Sequence, residues 1–229
     1  MYKNTTLLFA FIFISINLFA QKEIPLNNPN YDMQKYHFGF ILGLSQNKLH
    51  INYSSNFVDQ TNYQQILSKY EPGFNVGIIM DIKIYQNYNL RITPSFNFTD
   101  QKLYYISNNQ EKIQPKNSGI SNFELPIYLK YRSDRVNNGR AYILLGTNIL
   151  FDMGGFEELA ENRNIEFSKT NYSIDFGFGI DIYFEYFKFA PEIKYSYGIR
   201  NVLISQNNEY DNMINQLSTR SLLISLTFE

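Results

Sequence analysis

Residues 172–184 read Tyr172-Ser173-Ile174-Asp175-Phe176-Gly177-Phe178-Gly179-Ile180-Asp181-Ile182-Tyr183-Phe184, with an apolar or aromatic side chain at every even position. Ser, Asp and Gly fill the odd positions up to Tyr183. Successive side chains of a β-strand point to opposite faces, so this stretch is a two-sided strand. Its length is a first and weak signal that separates a membrane barrel from a soluble sandwich. Globular strands usually run about 5–6 residues, whereas a tilted strand crossing a bilayer needs about 9–11.

The pattern recurs on both sides. Towards the N-terminus, Phe74, Val76, Ile78, Met80, Ile82 and Ile84 face away from Asn75, Gly77, Asp81 and Lys83, with Ile79 the exception. Tyr88, Leu90, Ile92, Pro94, Phe96 and Phe98 oppose Asn89, Arg91, Thr93, Ser95 and Asn97, and Phe123 to Tyr131 oppose Glu124, Pro126, Tyr128 and Lys130. Phe38, Phe40, Leu42 and Leu44 form an earlier stripe, which Leu49, Ile51 and Tyr53 extend past an irregularity. Ala141 to Phe151 is apolar on nearly both faces, with Gly146 and Asn148 on the lumen side. Phe187 to Tyr197 and Leu222 to Phe228 complete eight strands, an even number as in bacterial single-chain barrels.

The connections carry a second signal. Gln86-Asn87, Ser133 to Gly139 and Phe184 to Phe187 are short, while 54–71, 107–119, 154–171 and 205–218 are long and polar. Short and long alternate strictly, as periplasmic turns and external loops do. The expected fold is an all-β, eight-stranded antiparallel up-and-down transmembrane barrel, both termini periplasmic.

Lys3, the apolar run Leu7 to Ile16 and Leu18-Phe19-Ala20 before Gln21 have the layout of a secretory signal peptide at 1–20. A periplasmic segment at 21–35 and a barrel at 36–229 follow. No other stretch has the eighteen or so apolar residues of a spanning helix. The chain has no Cys, which excludes disulfides and thiolate metal sites. Its net charge of −1 gives no footprint for nucleic acid. Its 19 Tyr and 20 Phe suit the aromatic girdles of a membrane barrel.

The inward faces place Asp81, Glu124, Asp175, Asp181, Glu185 and Glu192 against Lys83, Arg91, Lys130, Arg132, Lys188 and Lys194. An eight-stranded barrel is just wide enough for its own side chains, and buried charges must pair. The balanced set predicts a cross-linked plug rather than a solute channel, with Gly77, Gly146, Gly177, Gly179 and Gly198 giving the long side chains room. Chemistry is sparse. His37 and His50 are the only neutral-pH bases, and a site joining His50 to Ser54 or Ser55 competes with ordinary strand-to-loop roles. Asp175 and Asp181 lie about 20 Å apart along one strand and cannot form an acid/base pair. No cofactor, metal ligand set or small-molecule substrate is indicated, and the chain reads as no enzyme.

Several blocks resemble the PorT (SprT) family, outer-membrane barrel proteins of the type IX secretion system of Bacteroidetes. They are Leu26 to Asp32, His37 to Phe40, Pro72 to Asn75, Asn89 to Arg91, Glu124 to Pro126, Leu129 to Ser133, Phe176 to Asp181, Tyr186 to Lys194 and Gly198 to Leu203. The resemblance implies an accessory part in protein secretion, and in gliding motility where that occurs, alongside other secretion-system proteins in outer-membrane lipid. It implies no catalytic residues. A structural or adhesive barrel of OmpA-like type is the alternative.

Overall fold

The computed structural model describes residues 25–54, 63–99, 102–107, 112–113, 120–153, 166–205 and 211–229. The signal peptide expected at 1–20 lies outside them. Eight long antiparallel strands close on themselves: β1 Tyr36–Tyr53, β2 Glu71–Lys83, β3 in two segments (Tyr88–Ile92 and Ser95–Thr99), β4 Ile120–Arg132, β5 Gly139–Asp152, β6 Thr170–Tyr183, β7 Lys188–Gly198 and β8 Ile214–Phe228. Each pairs with its neighbour in sequence, and β8 returns to β1 with Phe40 opposite Phe228 and Lys48 opposite Arg220. No sheet edge is left open in this ring, which is what lets strands lie in hydrocarbon.

β3 divides because Pro94 has no N–H to donate. The ladder survives on both sides. The Ile78 N–H donates to the Pro94 carbonyl, and the Thr93 N–H donates to the Pro126 carbonyl. Both segments therefore keep the same neighbours, β2 and β4.

The distribution of polarity is inverted relative to a water-soluble protein. Phe38, Leu44, Ile78, Leu145, Phe176 and Ile224 are exposed, while Asp81, Arg91, Lys130, Asp181, Lys188 and Glu192 are buried. An apolar girdle of this extent requires an apolar solvent.

β1 differs from the sequence expectation. It runs unbroken past residue 45, and its only register shift falls at Asn52/Tyr53. Leu49 and Ile51 sit on the inward face, not on the lipid stripe. That face turns apolar because connecting segments cover this end of the barrel. Tyr63–Ser68, Leu103–Ser107 and Lys112–Ile113 form a small sheet there, and Glu166–Phe167 pairs with Leu203–Ile204. Leu49, Ile66, Leu103, Tyr105, Met213 and Leu217 pack into one buried cluster, against which Ile51 rests.

Candidate functional site

The interior is organised in tiers along the barrel axis. At the short-turn end, residues preceding β1 fold back over the opening. Tyr31, in the 3-10 turn Tyr31–Met33, is buried, stacks on the His37 ring at 3.9 Å and donates its hydroxyl to Glu229 Oε2 at 2.9 Å. Asp32 receives both Nη atoms of Arg140 at 2.9 Å, with Arg132 and Arg135 at 3.6 and 3.8 Å. The Lys83 ammonium donates to the Asp32 carbonyl at 2.7 Å, and Asn27 bonds Asn138 and the Tyr183 carbonyl. Burial raises the Asp32 carboxyl; Arg140, then Arg132 and Arg135, outweigh it and hold the group below the ordinary carboxylate range. Burial, with the Glu229 carboxylate beside it, pushes the Tyr31 phenol well above its usual value.

The middle tier is a closed charge network. Arg91 reaches Asp81 and Glu229 at 2.7 Å each and also bonds Glu192. Lys130 lies 3.1 Å from Asp181, Lys188 lies 2.8 Å from Glu229, and Lys194 lies 2.9 Å from Glu192. Tyr142 donates to Glu192 at 2.6 Å, and its ring lies under the Lys130 ammonium. Four carboxylates (Asp81, Asp181, Glu192, Glu229) thus face four cations (Arg91, Lys130, Lys188, Lys194). Neutrality of this kind is what permits charge in so dry an interior. The glycines opposite make the room: a Cβ on Gly179 would strike the Tyr142 ring, and one on Gly177 would strike the Lys194 stem.

Above the network lies a polar chamber of about 40 Å³, lined by Ser95, Asn97, Glu124, Asn148 and Asp175 among others. At roughly 10–15 Å³ per water, it has room for about three waters. Glu124 accepts from Asn97 at 2.7 Å and Asn148 at 3.2 Å; Asp175 accepts from Tyr128 at 2.8 Å and Ser173 at 2.7 Å. The apolar cluster under the long connections closes the top.

Several sequence assignments are revised by these positions. Glu185 is exposed in the turn between β6 and β7 and has no place in the lumen. Glu124 and Asp175 point inward but are held by amides and hydroxyls rather than by cations. Lys83 and Arg132 serve the short-turn clasp. Two acids outside the alternating set, Asp32 and Glu229, complete the pairing instead. Glu229 was legible by parity, since it follows Ser225 and Thr227 on the inward face. Asp32 was not, because a segment outside the strands has no period to read. His37 is buried against Tyr31; His50, five residues before the undescribed stretch at 55–62, points outward and is exposed. Ser55 lies outside the described residues. Among the described residues no cluster of His, Cys, Asp or Glu has the arrangement of a metal site.

The outer-membrane protein β-barrel domain model matches residues 19–203. The chain belongs to that family. This outer-membrane barrel is similar in structure to Neisserial surface protein A, with 13% identity over 85% of this chain and 98% of the other and a TM-score of 0.47. It is also similar to Ail, the attachment invasion locus protein of Yersinia pestis (10% identity, 86% and 99% covered, TM-score 0.43). A third similar structure is OprG from Pseudomonas aeruginosa (10%, 85% and 96%, 0.42). No curated protein sequence matches the chain.

Proposed function

We propose that this outer-membrane barrel is a non-catalytic, non-conducting unit of structural or adhesive OmpA-like type, long connections outside and both termini in the periplasm. One observation carries the reading: the lumen is filled by a neutral charge network and covered at both ends, by the Tyr31–Asp32 clasp and by the apolar cluster. Nothing the width of a solute passes such an interior without breaking several buried ion pairs. The surface left to meet a partner is that of the long connections, where loops on a rigid scaffold carry function. Deleting the gene should leave protein secretion intact and alter surface binding or envelope integrity; secreted cargo trapped in the periplasm would overturn this reading.

A second reading, an accessory of type IX secretion with other secretion-system proteins as partners, is favoured by one specific feature. The blocks Leu26 to Asp32 and His37 to Phe40, which carry the PorT/SprT resemblance, are not lipid-facing filler. They supply Asn27, Tyr31, Asp32 and His37, which bind the short-turn end. In that reading the clasped end is the docking face, and the same deletion strain accumulates cargo. In neither reading does cargo travel through this lumen.

A further inference from the structure

The lipid-facing surface changes character abruptly near the long connections. Outward positions of β8 run Phe228, Leu226, Ile224, Leu222 and then Arg220; those of β1 run Phe38, Phe40, Leu42, Leu44, Gln46 and then Lys48. Arg220 stands eight residues from Phe228, about 26 Å along the strand at about 3.3 Å per residue. At a tilt of about 40° that spans about 20 Å of the membrane normal, most of the roughly 25 Å of a barrel's apolar band. Arg220 and Lys48 therefore lie at the membrane boundary, directly opposite each other in the β1–β8 register.

Like charges facing each other across two strands repel. Neither Lys48 nor Arg220 has an ion pair with any described residue. Aromatic rings flank them instead: the Arg220 guanidinium lies 3.4 Å over the Tyr197 ring, and the Lys48 ammonium 5.2 Å over Tyr70. Arg220 Nη1 donates to the carbonyls of Gly198 and Thr219, which fixes the guanidinium plane. Its Nε and Nη2 keep no partner among the described residues. The same rim carries Arg200 over Tyr172 and Lys69 over Tyr104. Long cations at a membrane boundary reach for the headgroup layer; two held side by side on rings, with donors to spare, match a phosphate.

We propose that Lys48 and Arg220, flanked by Tyr70 and Tyr197, form a binding site for a phosphate of the outer-leaflet glycolipid, lipid A. Its acyl chains lie below along Leu44, Leu222 and Ile224. The assignment to the outer leaflet rests on the orientation proposed above; the phosphate site itself does not.

The test uses the full-length protein in mild detergent, with bound lipid read by native mass spectrometry. Diphosphoryl lipid A should bind at least about tenfold more tightly than dephosphorylated lipid A or phosphatidylglycerol, as charge-assisted bonds to phosphate require. Lys48→Gln with Arg220→Gln should abolish that preference, while Lys35→Gln, on the opposite rim, should keep it. Equal binding of the dephosphorylated lipid overturns the proposal, and that comparison needs no variant. So does a double variant that folds and binds as before, or phosphatidylglycerol that binds as well as lipid A. Orientation is read separately by labelling Lys69→Cys on intact cells with an impermeant maleimide. Lipid A binding without labelling would leave the phosphate site standing and refute the orientation.

Discussion

Arg91 shows how much one residue carries in this interior. It is buried and bonds three carboxylates, Asp81, Glu192 and Glu229, so Arg91→Met leaves an excess of negative charge in a dry space. Removing one partner of a buried pair typically costs about 3–5 kcal/mol. A loss of at least that size is expected, read as a lower urea midpoint for refolded protein in detergent micelles. Asp32 makes a pH prediction. Its folded carboxyl titrates below the ordinary range because of Arg140, Arg132 and Arg135. Its contribution is therefore complete above the unfolded value, near pH 4, and fades as pH falls through the lower folded value. Hydrogen-exchange protection factors of residues 25–35 should stay high at pH 5 and fall towards pH 2; equal protection at both would show that Asp32 does not hold the clasp.

At the scale of strands, the tolerance of each inward glycine depends on what it faces. A side chain at Gly179 meets only the outer end of Tyr142, which can swing aside at the expense of its bond to Glu192. At Gly146 the obstacle is the Ile127 carbonyl and the Tyr128 backbone, which cannot move without breaking the β4–β5 ladder. Gly179→Val should therefore cost about 1–3 kcal/mol and be partly relieved by Tyr142→Ala. Gly146→Val should be more damaging, with no such relief. Unfolding midpoints of the three single variants and both doubles give the comparison.

For the whole molecule, the bilayer is the second half of the fold. Ile224 is exposed halfway between Phe228 and Arg220 on the outward face of β8. An arginine there should cost about 2–4 kcal/mol, as at the midplane of other barrels, whereas Arg220 itself sits where the charge reaches the headgroups. Reconstituted into planar bilayers, the protein should give no conductance steps, because both ends are covered and the network between them is neutral. Steady ion-conducting openings would contradict the filled lumen.

Alternation, strand length and the order of short and long connections are local properties. Residues 172–184 and their counterparts therefore determined by themselves the strand class, the number of strands and the identity of the lipid face. The same alternation put Asp81, Arg91, Lys130, Asp181, Lys188 and Glu192 on the inner wall. Which charge meets which was decided only in three dimensions, since partners such as Arg91 and Glu192 are far apart in sequence and are brought together by barrel closure. Closure also assigned Leu49 and Ile51 to the inside, because their apolar character has two explanations and only the packed connections choose between them. Asp32 and Tyr31 stand outside the alternation: a segment without secondary-structure period acquires its role from the surface that it folds onto.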